Sequence, residues 1–344
     1  MSTTELEESY KYLSGRPAIS AELRDLPSIR VRLAEFLMRL SQTQLPTWSN
    51  GAELNEIVRH PNFVQASEAE RIGLLMRSAE AKYASENRYP WDHYFGMDLA
   101  PELAGQHVLD LGCLYGGRSV AWAEKYRLRK LTGIDVNSAY IDVANRFAQS
   151  KGIDADFHVA YGECLPFEAE TFDAVVSFDV FEHVQSPRAT LAECRRVLKP
   201  GGRLFLVFPS YWQPIEHPLS LVTHTPGLQY LFSGDTLVKA YNRILASRGE
   251  DANWYTRIKP ELQSWERCNT INGTTLQSFR KMLNGGGWKV IRHSQPPIGS
   301  IGRTTVRNPR LWHRALAAVG RALVRVPGFD EVFLHRLVFV LGRD

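Results

Sequence analysis

Short apolar runs alternate with helical patterns along the chain from residue 107 onwards. The runs cover residues 107–111, 131–134, 174–178, 203–208, 288–292 and 337–341. Mostly apolar runs of four to six residues suit buried strands, and the 3.6-residue period of the segments between them suits helices. The pattern therefore predicts an α/β fold, with a mostly parallel, doubly wound sheet.

A different pattern precedes these runs. Apolar residues at Ile29, Leu33, Phe36, Leu37 and Leu40 predict a helix that buries this face. A capping-box pattern at residues 67–70 predicts the start of a second helix. Aromatic residues then gather at Tyr83 and in residues 89–95, which predicts either a hydrophobic plug or a lid that excludes water from a site.

These patterns divide the chain into four parts. We expect a helical N-terminal extension with the aromatic cluster over residues 1–95 and a ligand-binding core over residues 96–208. A cap insertion rich in aromatic residues follows over residues 209–268. The remainder, residues 269–344, returns to the core and contains a second insertion.

The first apolar run ends in glycines and then enters a helical pattern. Asp110 is the last residue but one of this run, and Gly112 and Gly116 allow the backbone to approach a ligand closely. The next run ends on Asp135, about 20 residues further on, where a carboxylate can accept hydrogen bonds from ribose hydroxyls. Helix capping is the structural alternative for Asp135. The spacing favours a nucleotide-type ligand.

Five motifs in this order resemble the class I S-adenosylmethionine-dependent methyltransferases. They occupy residues 108–116, 135, 162–167, 172–177 and 198–202. The resemblance implies a seven-stranded Rossmann-like sheet and S-adenosyl-L-methionine as cofactor. It implies that Asp135 holds the ribose with Val136 beside it, that Glu163 and Cys164 face the adenine, and that Asp179 lies in the same crevice with Asp110, Gly112 and Gly116. The family usually has glycine where this chain has Leu114, which implies a side chain to be accommodated near the methionine moiety.

The third run, residues 174–178, is followed by Asp179, Glu182 and His183, which gives two carboxylates and an imidazole at the expected substrate side. This element is similar to that of the ubiquinone-biosynthesis O-methyltransferases, and the resemblance implies Mg²⁺ or Zn²⁺ held by the three residues. The alternative is a metal-independent site in which His183 is the base that removes a proton from a hydroxyl. His217 is a second candidate for the base, and His224 a third.

The 41 basic and 37 acidic residues give a net charge of +4, which points neither to nor away from nucleic acid. No acidic residue occurs from residue 267 to 329, and Arg310, Arg314, Arg321 and Arg325 share one face of a predicted helix. This basic amphipathic helix either packs on the domain or contacts an anionic membrane or a phosphorylated, lipid-linked acceptor. Because no recognition motif accompanies the arginines, we do not expect a nucleic-acid partner.

The acidic N-terminus lacks the character of a signal peptide, and the four cysteines lack metal-ligand spacing. We therefore expect a cytoplasmic protein with free thiols, held at the inner face of the membrane if the basic helix binds lipid. The sequence does not decide between a monomer and a homodimer.

The prediction for function is methyl transfer to a hydroxyl of a glycosylated, lipid-like or secondary-metabolite acceptor. Two alternatives remain. One is a non-catalytic S-adenosylmethionine-binding protein, and the other is an NAD-dependent oxidoreductase, which shares the glycine turn and the ribose carboxylate.

Overall fold

The structure is a computed structural model of the 344-residue chain. It describes residues 28–42, 61–88, 91–213, 219, 222–248, 272–294, 296, 318, 322, 331–332 and 334–344. No helix in these ranges is long and apolar enough to cross a membrane.

A seven-stranded sheet forms the centre of the molecule, in the order β3-β2-β1-β4-β5-β7-β6. Strand β7 runs antiparallel to its neighbours β5 and β6, and the other pairs are parallel. The strands are β1 (His107–Leu111), β2 (Lys130–Asp135), β3 (Ala155–Val159), β4 (Phe172–Phe178), β5 (Leu198–Phe208), β6 (Trp288–Ser294) and β7 (Leu337–Arg343). The predicted fold class is confirmed.

Helices cover both faces of the sheet. The longer helices of the core are α5 (Gly117–Tyr126), α6 (Ser138–Ser150), α7 (Pro187–Val197) and α10 (Leu276–Gly285), and the short α4 (Ala100–Leu103) precedes β1. Leu109 and Leu111 of β1 pack in a core shared with α7 and α10. Val108 points to the opposite core, with residues of α5 and the 3₁₀ helix Trp91–Phe95. Side chains that alternate between two cores explain why the central strands are apolar throughout.

The N-terminal helices are α1 (Ile29–Leu40), the short α2 (Pro61–Gln65) and α3 (Glu68–Arg88). The predicted capping box is confirmed, since Ser67 N donates to Glu70 Oε2 at 2.9 Å and Glu70 N donates to Ser67 Oγ at 3.3 Å. Helix α3 packs against α5 and α6, and it therefore lies beside the helix that follows the glycine loop.

The predicted buried face of α1 is wrong. Ile29, Leu33, Phe36 and Leu40 are exposed, and Leu37 is half-buried. The buried residues are Val31, Ala34 and Met38 on the opposite face. They pack against α9 (Gly234–Ala246), the main helix of the described part of the 209–268 insertion, which also contains the short α8 (Leu228–Leu231). The smaller side chains thus form the contact.

The described part of the aromatic cluster packs as a plug. Phe95 contacts Phe178 and Phe205, with ring centroids 6.0 and 5.5 Å apart. Trp91 lies edge-on to Phe178 at 5.8 Å. Because Phe178 is the last residue of β4, the plug reaches the carboxyl edge of the sheet. Tyr89 and the arginines at 310, 314, 321 and 325 lie outside the described residues.

Candidate active site

The loop between β1 and α5 is held against the end of β2. The amides of Gly112 and Cys113 both donate to the Ile134 carbonyl at 2.9 Å. Gly112 has φ of +81°, and a Cβ added there would lie 2.2 Å from Val180 Cγ2. Only glycine fits this position. Other residues rarely adopt this positive φ, and a side chain here would clash with Val180, which follows β4.

Leu114 adopts the left-handed conformation that a glycine would adopt easily, with φ of +51°. Its side chain packs against the apolar cluster formed by α3, α5 and α6. The strain of a left-handed leucine, about 1–2 kcal/mol, is thereby offset by packing. The Leu114 side chain is accommodated in this cluster, and its position relative to the methionine moiety stays a prediction.

Asp135 joins the loop to the end of β2. Its Oδ2 accepts the Leu114 amide at 3.1 Å, and its Oδ1 accepts the Asn137 amide at 3.0 Å. Burial raises the pKa of this carboxyl to about 6, although the backbone hydrogen bonds act in the opposite direction. A carboxylate offers about four lone-pair sites, so Asp135 keeps acceptor capacity for a hydroxyl donor beside its backbone amides.

Asp110 lies deeper than Asp135. Its carboxylate is 5% exposed and accepts the Ser119 hydroxyl at 2.5 Å. Burial raises the pKa of Asp110, and the Ser119 bond counteracts this. This hydrogen bond fixes the first turn of α5 to β1, so Asp110 stabilises the loop between them. Direct contact between Asp110 and a ligand stays a prediction.

The predicted adenine side lies at the ends of β2 and β3. Val136 is 43% exposed and Cys164 is also exposed. Glu163 is turned inwards, where its Oε1 accepts the amides of Gln185 at 2.6 Å and Ser186 at 3.2 Å. Its Oε2 is buried without a hydrogen-bond partner among the described residues. In this geometry Glu163 caps the entry to α7, and Val136 and Cys164 present the accessible surface.

A buried charged network that the sequence patterns did not indicate connects α3 to the loop. Glu86 Oε1 accepts the Trp91 amide and the Trp122 indole N–H, both at 2.7 Å. Glu86 Oε2 lies 3.5 Å from Arg118 Nε, and the Arg118 guanidinium lies 4.2 Å from the centre of the Trp91 ring. The sequence feature that could have indicated this network is Glu86, which falls on the buried face of α3. A buried carboxylate requires hydrogen-bond or ion-pair partners.

Asp179, Glu182 and His183 do not form the predicted metal site. Asp179 Oδ1 lies 3.2 Å from Arg336 Nη1, so a cation already neighbours this carboxylate. The Glu182 side chain is 6% exposed and that of His183 is 54% exposed, and His183 Nε2 lies 3.7 Å from Glu182 Oε1. Among the described residues no group of three or more His, Cys, Asp or Glu is placed to hold a metal ion.

Asn272 holds the turn that carries His183. Its Nδ2 donates to the carbonyls of Phe181 at 2.6 Å and Val184 at 2.8 Å, and its backbone amide donates to the Glu182 carbonyl at 2.6 Å. Within the turn, the His183 amide donates to the Val180 carbonyl at 2.8 Å. The turn is therefore fixed at both ends although its imidazole is exposed.

Two other predicted histidines lie elsewhere. His217 is outside the described residues. His224 is exposed, and its amide donates to the Ser41 carbonyl at the end of α1 at 2.8 Å. The three described cysteines, Cys113, Cys164 and Cys194, are free thiols.

Comparison with known proteins places this site in a family. Residues 109–206 match the family model described as a methyltransferase domain. The chain is 35% identical over 103 residues to the ubiquinone biosynthesis O-methyltransferase of Coxiella burnetii (strain Dugway 5J108-111), which covers 30% of this chain and 43% of that protein. It therefore spans less than half the length of that relative.

A longer match covers 178 residues of the protein with the same name from Hahella chejuensis, at 31% identity, 51% of this chain and 67% of that protein. A solved structure of geranyl diphosphate methyltransferase in complex with SAM is 17% identical, with a TM-score of 0.46 over 83% of this chain and 92% of that chain. The chain belongs to the class I S-adenosylmethionine-dependent methyltransferases.

Proposed function

We propose that the protein transfers a methyl group from S-adenosylmethionine to a hydroxyl of an apolar or glycosylated acceptor. The observation that carries the proposal is the hydrogen bond from the Leu114 amide to Asp135 Oδ2, which holds the carboxylate proposed to bind the ribose against the glycine loop. The exposed Val136 beside it provides an apolar surface for the adenine ring. These residues fit the adenosine part of the cofactor.

The cofactor supplies an already activated methyl group, so the protein's contribution is binding, alignment and removal of a proton. Asp135 orients the ribose through its remaining acceptor capacity. The plug around Trp91 fills the space next to β4 and keeps water out of that side of the crevice. In this proposal Arg118, stacked on Trp91, adds positive charge beside the loop for the carboxylate of the methionine moiety.

His183 is the proposed base. It lies in a fixed turn at the carboxyl end of β4, its imidazole is exposed, and Nε2 is 3.7 Å from Glu182 Oε1. The buried Glu182 carboxylate attracts an imidazole that has taken up a proton, which favours removal of that proton from the acceptor hydroxyl. The proposed role requires no metal ion.

Aromatic residues after β5 support an apolar acceptor. The rings of Tyr211 and Trp212 are 5.2 Å apart, and Trp212 stacks on Tyr230 at 6.5 Å. Trp212 and Tyr230 remain about two-fifths exposed. They follow the strand next to β4, and the name of the relatives, O-methyltransferase, supports oxygen as the atom that receives the methyl group.

The test combines cofactor binding with turnover. Calorimetric titration with S-adenosylhomocysteine should show binding, and titration with NAD should show none. Methyl-labelled S-adenosylmethionine is then incubated with hydroxyl acceptors that carry an apolar tail or a sugar, and labelled products are identified by mass spectrometry. His183→Ala should reduce turnover by roughly 100-fold or more with cofactor affinity unchanged, and His224→Ala is the matched control.

The alternatives predict other results. Binding of S-adenosylhomocysteine without transfer to any acceptor would support the non-catalytic protein. Binding of NAD alone would support the oxidoreductase. Full turnover in His183→Ala would show that His183 is not the base.

A further inference from the structure

Four large apolar side chains on α1 face solvent. Ile29, Leu33, Phe36 and Leu40 are 84, 51, 58 and 64% exposed, and together we call them the α1 stripe. At about 100° per residue they fall within an arc of about 60° on the helix surface. The stripe is therefore a continuous apolar ridge, whereas exposed apolar residues on a protein surface are normally scattered.

The orientation of α1 is fixed, so the stripe does not turn inwards. Val31, Ala34 and Met38 on the opposite face are buried against α9. Glu35 accepts hydrogen bonds from Arg39 Nη2 at 2.8 Å and from Arg243 Nε at 3.0 Å, which ties the helix to α9 on one flank.

The charge next to the stripe is positive on both flanks. Arg30 lies on one side of the ridge, and Arg32 and Arg39 lie on the other. Glu35, the only acidic residue of α1, is already paired with Arg39 and Arg243. Arg30 and Arg32 are exposed and have no ion-pair partner among the described residues.

We propose that the α1 stripe is a docking surface for an anionic lipid bilayer. An amphipathic helix that lies in the plane of a membrane inserts its apolar ridge between the headgroups, and flanking arginines contact the lipid phosphates. The stripe and its arginines match this arrangement in both apolar character and charge. The site would hold the enzyme at a surface rather than contribute to the reaction.

A second copy of the chain fits this surface less well. Four partly exposed side chains offer a few hundred Å², roughly half of the 800 Å² that each partner of a stable complex buries. Arginines of like sign on both flanks would also repel each other across a two-fold axis.

The experiment measures sedimentation of the full chain with vesicles of equal parts phosphatidylcholine and phosphatidylserine, and with vesicles of phosphatidylcholine alone. We expect binding to the first at low salt and weaker binding to the second. Phe36→Glu and Leu33→Glu should each weaken binding roughly tenfold or more. Arg30→Gln and Arg32→Gln should each weaken it about fivefold.

Val64→Glu is the matched control, because Val64 on α2 is 57% exposed, nearly the same as Phe36 at 58%. It should bind as the unchanged protein does. Thermal unfolding of all variants shows that each is folded, and size-exclusion chromatography with light scattering reports self-association.

Several results would overturn the proposal. The first is failure of the full chain to bind anionic vesicles. The second is a loss of vesicle binding in Val64→Glu equal to that in the stripe variants. The third is vesicle binding that is retained in the stripe variants but disappears when the arginines at 310, 314, 321 and 325 are replaced. A dimer that Phe36→Glu dissociates would instead assign the stripe to a second copy.

Discussion

The pH dependence of cofactor binding tests the role of Asp135. Burial places the pKa of this carboxyl at about 6 instead of the ordinary 3.8. In the proposed role, the ribose hydroxyls of S-adenosylhomocysteine donate to the ionised Asp135 carboxylate, so binding of the ligand favours loss of the carboxyl proton. About nine-tenths of the protein carries the ionised form at pH 7 and about one-tenth at pH 5. Affinity should therefore fall about tenfold from pH 7 to pH 5.

The Asp135 carboxyl makes the free energy of unfolding change with pH in the opposite direction to the cofactor affinity: stability rises as the pH falls. Because the pKa of Asp135 is higher in the folded protein, its contribution to stability is complete below pH 4 and is lost as the pH rises through 6. The difference in pKa corresponds to about 3 kcal/mol of the free energy of unfolding. The protein retains this unfavourable buried carboxylate at neutral pH, as expected for a residue that serves a ligand.

The assay is calorimetric titration with S-adenosylhomocysteine at pH 5, 6 and 7, alongside urea unfolding at the same values. Asp135→Asn keeps the size of the side chain, and it should bind at least tenfold more weakly at pH 7 and lose the pH dependence of both measurements. Asp142→Asn, an exposed carboxylate on α6, is the control. Equal pH dependence of affinity in Asp135→Asn and the unchanged protein would refute the assignment.

Three further substitutions test the surroundings of the site. Gly112→Ala should lower the free energy of unfolding by about 2–4 kcal/mol, since its Cβ would lie 2.2 Å from Val180 Cγ2, and Val180→Ala should restore part of it in urea unfolding; additive losses would contradict this. Glu163→Gln keeps an acceptor for the two amides, so affinity for S-adenosylhomocysteine should change less than about twofold, and a tenfold loss would return Glu163 to the adenine site. Asn272→Ala should destabilise the protein by about 2–3 kcal/mol and reduce turnover more than cofactor affinity, because the His183 turn loses two side-chain hydrogen bonds; unchanged turnover would separate the turn from the reaction.

The sheet was largely predictable because most of its strands are buried. β1, β2, β4, β5 and β7 are apolar on both faces, and such runs identify themselves in a sequence. β3 was not predicted. It is an edge strand with only Phe157 buried, and its other side chains are partly or fully exposed, so its sequence lacks the apolar run.

The candidate site was predictable where one short segment supplies both the backbone and the side chain. Asp135 at the end of β2 is such a case. The partners of charged groups were not predictable, because they come from distant segments. Glu86 and Arg118 are 32 positions apart in the sequence, and Asp179 and Arg336 lie on different strand ends. Arg336 is also the physical reason why the expected metal site does not form at Asp179.

Helix α1 shows a different limit of sequence patterns. Both of its faces contain apolar residues, and periodicity alone does not decide which of them packs on the domain. In the structure Met38 is fully buried and Phe36 is 58% exposed. Met38→Ala should therefore lower the free energy of unfolding in dilute buffer by about 2–5 kcal/mol, whereas Phe36→Ala should change it by less than about 0.5 kcal/mol.

Urea unfolding of the two variants, without lipid, decides between the faces. The reverse order of effects would restore the face predicted from sequence and would also remove the α1 stripe as a membrane surface. The expected order has a further consequence. Burying a large apolar side chain contributes about 1.5–3 kcal/mol, and the domain forgoes this contribution at four positions of α1. A partner that covers the stripe recovers it, so the choice of the smaller face for internal packing is itself an argument that the larger face serves an interaction.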